Sequence, residues 1–137
     1  KQTSGAVGYV ELAYAKQNGL PSAMIRNAAG NFIGPSTETI TAAASGVADK
    51  LPPNTDYRIS IVNGPGANAY PISSFTWILA YVNQPDSVKG RKLVDFLRWA
   101  LTDGEKEATS LDYAPLPASM TAQLKSRLDS IKLGVAR

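Results

Sequence analysis

Residues 75–82, Phe-Thr-Trp-Ile-Leu-Ala-Tyr-Val, constrain the fold of this chain more than any other stretch. They form an apolar run of strand length, rich in aromatic and β-branched side chains. Such a run suits a strand covered on both faces better than one with a solvated side. The expectation is a central, doubly buried strand, with Trp77 and Tyr81 in the core.

The remaining pattern supplies elements to cover it. Ala6-Val7-Gly8-Tyr9-Val10 predicts a short buried strand, followed by a helical turn over Glu11 to Asn18 that ends near Gly19. Met24-Ile25 and Asn31-Phe32-Ile33 flank Asn27-Ala28-Ala29-Gly30 and predict a small hairpin. Ser36 is the expected N-cap of a helix ending near Gly46, with Ile40, Ala43, Ala44 and Val47 on its inner face. Leu51-Pro52-Pro53-Asn54 breaks regular structure, Tyr57 to Val62 predicts a second strand, and Asn63 to Asn68 a loop. Beyond the apolar run, Ser87 is expected to cap a helix with Leu93, Val94, Leu97, Ala100 and Leu101 inward and Gly104 stopping or bending it. A short helix over Glu105 to Leu111 follows. A last helix after Pro117 turns Met120, Leu124, Leu128 and Ile131 inward. Strands mixed with helices predict an α/β layered architecture.

Composition narrows the chemistry. A length of 137 residues, 44% of them hydrophobic, suits one domain with a real core. Fourteen basic against eleven acidic residues leave a net charge of +3, short of the dense basic surface that phosphate-backbone contacts require, so no nucleic acid is expected as partner. The chain has no Cys and no His, which removes disulfides, thiolate nucleophiles and the commonest general base. No apolar run of about 18 residues appears. The opening Lys1-Gln2-Thr3-Ser4-Gly5 has neither an initiator Met nor a signal-peptide core, so a processed chain or a fragment is expected.

Five constellations invite a functional reading. Gly64-Pro65-Gly66 follows a predicted strand as phosphate cradles do, but it lacks a third Gly and a Lys-Ser/Thr pair, and Pro65 has no N–H; a plain turn fits it better. Asp103, Glu105, Glu107 and Asp112 could suggest paired-carboxylate or metal chemistry, yet acidic residues near a helix start favour the dipole and are usually solvated. Lys89, Arg91, Lys92 and Arg98 form a basic cluster interrupted by Asp86 and Asp95, which reads as surface pairing, with an anionic partner as the alternative. Ser73 and Ser74 could supply hydroxyls to a ligand, but they have no His or Lys beside them in sequence and read as caps at the strand entrance rather than nucleophiles. Trp77, Trp99, Tyr81 and Phe96 lie in apolar periodic segments and read as core rather than a stacking platform. These residues select no activity by themselves.

Several blocks together resemble the C-terminal portion of the phosphate-binding proteins of bacterial ABC-type phosphate importers. They are Gly5-Ala6-Val7-Gly8-Tyr9-Val10-Glu11-Leu12-Ala13-Tyr14-Ala15-Lys16-Gln17-Asn18, then Ser60-Ile61-Val62-Asn63, Ala69-Tyr70-Pro71-Ile72 and Leu111-Asp112-Tyr113-Ala114-Pro115-Leu116-Pro117. The resemblance implies a periplasmic-binding-protein-like (type II) α/β fold of two hinged lobes, of which this chain is the C-terminal part. By that likeness residues 1–70 are the later part of the second lobe. Residues 71–137 return through the hinge and complete the first, with Ser73 and Ser74 near the hinge side of the cleft.

The same likeness implies a non-enzymatic periplasmic protein that captures inorganic phosphate by hinge closure and delivers it to an importer permease, with no cofactor. The family's ligands, a Thr-Phe, a Ser, an Asp and an Arg-x-x-x-Ser-Gly-Thr, precede the block that begins this chain. Arg26 is followed by Asn27-Ala28-Ala29-Gly30 and Arg58 by Ile59-Ser60-Ile61-Val62, so neither inherits the role, and no catalytic, ligand-binding or metal residue is assigned. With those converging donors missing, the chain alone is expected to bind phosphate poorly. It is expected to pair with the missing N-terminal part of the same protein or to form a homo-oligomer. An independent structural or interaction domain without ligand binding is the alternative; a phosphatase is disfavoured by the lack of His and Cys.

Overall fold

The computed structural model describes residues 3–52 and 54–134. Lys1-Gln2 and Pro53 of the expected breaker lie outside the described residues. Among the described residues helices dominate: α1 (Leu12–Gln17), α2 (Thr37–Ala48), α3 (Ser87–Ala100), α4 (Glu105–Ala108) and α5 (Ala118–Leu128) are accompanied by four two-residue strands, β1 (Ile25–Arg26), β2 (Phe32–Ile33), β3 (Asn83–Gln84) and β4 (Lys132–Leu133). The strands form two small sheets, an antiparallel β1–β2 pair and a parallel β3–β4 pair. The architecture is mixed helix and sheet.

α2 organises the interior. Its N-terminus carries a reciprocal cap: the Ser36 hydroxyl accepts from the Thr39 N–H at 3.2 Å, and the Ser36 N–H donates to the Thr39 hydroxyl at 2.9 Å. Two of the donors that every helix start leaves unpaired are thereby satisfied. Ala43, Ala44 and Val47 then bury against Ile61 and Ala69, while Ala48 joins Leu51 and Met120 in a second cluster. The helix runs through Ala48, two residues past the expected stop at Gly46. Gly46 is needed for approach rather than termination, because a Cβ there would overlap the Pro65 carbonyl.

The hairpin forms as expected, with Ile25 opposite Ile33 and Arg26 opposite Phe32, and Gly30 takes the left-handed φ of 89° that its turn requires. Glu105–Ala108 and the 3-10 turn Thr109–Leu111 fall where the short helix was expected. The cap of α3 is Asp86, not Ser87: its carboxylate accepts from the Val88 and Lys89 N–H groups. A carboxylate is a strong acceptor and also favours the helix dipole.

Three expected strands make no ladder. Tyr57 to Val62 alternates inward and outward, with Ile61 fully buried, but it pairs with no strand among the described residues. Ala6 to Val10 is not a buried strand; Val7 is 99% and Tyr9 97% exposed. Residues 75–82 are not a doubly covered strand either: Leu79 is 95% exposed and only Phe75 packs on the interior. Trp77, Tyr81, Phe96 and Trp99, expected in the core, are about half exposed or more. A strand is covered only when neighbouring strands and helices meet it, and the described residues supply none at these positions. The chain does pair from the last residue of this run onward, where the Lys132 N–H donates to the Val82 carbonyl at 2.7 Å and Asn83–Gln84 joins β4.

Candidate functional site

The blocks that carry the family resemblance meet in pairs: residues 60–63 touch residues 69–72 where the chain passes from residue 70 to residue 75, and residues 5–18 touch residues 111–117 through Lys16 and Asp112. The Asn63 N–H donates to the Pro71 carbonyl at 2.7 Å, and the Tyr70 N–H to the Thr39 carbonyl on α2 at 3.0 Å. Ser73, buried, donates its hydroxyl to the Tyr70 carbonyl at 2.8 Å; Ser74 donates to the Phe75 carbonyl. Both hydroxyls are therefore engaged by backbone carbonyls close in sequence, and since residues 75–82 form no strand they cap no strand entrance.

The Gly64-Pro65-Gly66 loop is a turn held from within. Asn27, buried at the hairpin, donates its amide to the carbonyls of Gly66, Ala67 and Ala69 at 3.2, 2.9 and 3.1 Å. Its side-chain oxygen accepts from the N–H groups of Ala29 and Asn31. One side chain thus ties the hairpin to the loop and satisfies backbone groups at both ends. Sequence reasoning missed Asn27; its place at the head of an Asn-Ala-Ala-Gly turn is the signal that could have marked it.

The charged candidates disperse. Asp103 pairs with Lys106 at 2.6 Å, and this hydrogen bond holds its carboxyl below the ordinary range. Glu105 accepts from the Leu116 N–H, and Asp112 pairs with Lys16 at 2.5 Å. Among the described residues no cluster of three acidic groups could hold a metal. Lys89 pairs with Asp86, as surface pairing anticipates, while Arg98 pairs with Asp129 at the C-terminal end of α5. Arg58 is paired with Asp56 at 2.6 Å, and Arg26 donates to the Gly30 carbonyl of its own hairpin. Glu38, in the first turn of α2, lies below the ordinary carboxylate range, chiefly through the Ser36 hydroxyl, with a smaller electrostatic contribution from Lys16.

Two exposed apolar stretches complete the surface. Val7, Tyr9 and Val10 lie on one, Trp77, Ile78, Leu79, Tyr81 and Val82 on the other. Contiguous exposure of this kind marks a surface that associates. No described helix is long and apolar enough to cross a membrane.

Comparison with known proteins reaches the same family as the sequence blocks. The chain is 37% identical over 126 residues to the phosphate-binding protein PstS of Xylella fastidiosa, covering 92% of the chain and 34% of the relative. It is 36% identical to the phosphate-binding protein PstS of Haemophilus influenzae over 93% of the chain, and 40% identical to that of Methanocaldococcus jannaschii over 85%. No family model matches. The chain spans about a third of the length of these curated relatives. The resemblance read from its sequence blocks therefore holds over most of its length.

Proposed function

We propose that this chain is the C-terminal part of a periplasmic, non-enzymatic solute-binding protein that captures inorganic phosphate between two hinged lobes and hands it to an ABC importer. Residues 1–70 form the later part of the second lobe in this reading. Residues 71–137 cross the hinge and complete the first. The observation that carries it is the 37% identity over 92% of the chain to a phosphate-binding protein of which it spans 34%. The exposed, strand-like runs at 6–10 and 75–82 support it, because each is composed to be covered and lies open. The rest of the protein would bring the strands that cover them and the converging donors that an anion stripped of water requires. Lobe closure by hinge bending then controls entry and release.

Native mass spectrometry in phosphate buffer tests this reading. Alone, the chain should associate with itself through its open apolar faces and retain no phosphate. Joined to the remaining two-thirds of the protein, it should give one complex holding one phosphate. Phosphate retained by this chain alone would overturn the empty ligand set; a joined protein that binds none would overturn the function.

A further inference from the structure

The contacts between Lys16 and Asp112, and between α2 and the segment leading into α5, have no role in the binding described above. Lys16 lies in the last turn of α1. Asp112 closes the 3-10 turn with a left-handed φ of 63°, a conformation Asp tolerates better than most residues. The two meet at 2.5 Å with their side chains 50% and 23% exposed. Beside them Thr41 of α2 donates its hydroxyl to the Pro115 carbonyl at 2.8 Å. Ala48 and Leu51 close a buried cluster with Met120. The crossing of the chain lies on the same helix, through the bond from Tyr70 to Thr39.

The contacts that connect residues 1–70 to residues 71–137 are of unequal strength, among them the partly exposed Lys16–Asp112 pair and the buried Ala48–Leu51–Met120 cluster. Opening the Ala48–Leu51–Met120 cluster would return nearly fully buried apolar surface to water, a cost proportional to area. Parting Lys16 from Asp112 exchanges a partly solvated pair for two solvated ions, a small cost that salt lowers further. A hinged body opens at its weak joint and turns about its strong one. We propose that the Lys16–Asp112 pair is a latch that holds the two lobes closed and parts when they open, while the Ala48–Leu51–Met120 contact under α2 is the bearing on which they turn. The proposal rests on the lobe assignment and the phosphate function above. A contact present in one of two arrangements shifts their populations, and so the rate at which a captured anion leaves.

The test measures phosphate release by stopped flow from the full-length protein carrying this sequence. Lys16→Gln and Asp112→Asn should each speed release about two- to fivefold at low salt, the range of a partly exposed ion pair. The double variant should release no faster than the faster single one, because the same contact is lost. The difference from the unaltered protein should vanish near about 1 M salt. Unchanged release in both single variants overturns the latch and leaves the phosphate function standing. Faster release that is additive or indifferent to salt also overturns it, assigning the two residues a structural role. An unaltered full-length protein that binds no phosphate overturns the parent reading, and the latch with it.

Discussion

Residues 36–71 and residues 75–82 are both rich in apolar side chains, yet the first region closes a core and the second lies open. The difference is in how each satisfies its backbone. α2 makes its hydrogen bonds within itself, its start is capped by Ser36 and Thr39, and it needs only a facing surface, which Ile61 and Ala69 provide. A strand leaves its N–H and C=O groups pointing sideways and is stable only between neighbours. Residues 75–82 have no ladder partner among the described residues, so the same hydrophobicity that buries Val47 leaves Leu79 in solvent. Apolar character decides whether a segment is made to be covered; the availability of neighbours decides whether it is.

Substitutions in the two regions should therefore behave oppositely. The largest loss is expected at Ile61, 1% exposed and the largest fully buried side chain: Ile61→Ala should cost about 2–5 kcal/mol in chemical denaturation, through lost burial plus a residual cavity. A loss within experimental error would mean that the α2 region is not a packed core. Asn27→Leu comes next, at about 1–3 kcal/mol, because it strips the buried Ala69 carbonyl and the part-buried Gly66 carbonyl of a shared donor, while Ala67 keeps the Asn31 amide. Denaturation with amide exchange at Ala69 would reveal whether the loop loosens first. Ser36→Ala should cost about 1 kcal/mol by removing the cap of α2, seen as a lower urea midpoint with an unchanged slope.

The open region should respond least. Leu79→Asp is expected to leave the stability of this chain within about 0.5 kcal/mol. Analytical ultracentrifugation of the same variant should show weaker self-association, and binding to the remainder of the protein should fall further. A large stability loss in the chain by itself would show that residue 79 is already covered and would erase the contrast.

The legible parts of the molecule were those with local causes. The α2 helix, the Asn27–Gly30 hairpin and the Met120 face of α5 follow from caps, turn residues and periodic spacing within a few positions of one another. Asp86 displaced Ser87 as a cap because two adjacent residues were both competent, and only the geometry of the turn chose the one whose oxygen reaches Val88 and Lys89. The β3–β4 pair was not legible, since Asn83–Gln84 and Lys132–Leu133 carry no strand pattern and meet only because α3 and α5 return the chain beside itself. The family likeness needed no structure, because it lies in the order of residues in four blocks.

The sequence by itself determined which segments are helical, which runs are composed for burial, and the family the chain resembles; these depend on neighbours along the chain or on the residues' own chemistry. Only the tertiary structure decided that Lys16 meets Asp112, that Thr41 meets Pro115, that Asn27 holds the Gly66 loop, and that residues 75–82 lie open. Those outcomes depend on which surfaces reach one another through space. Side-chain composition can demand a neighbour without specifying whether the chain at hand contains it.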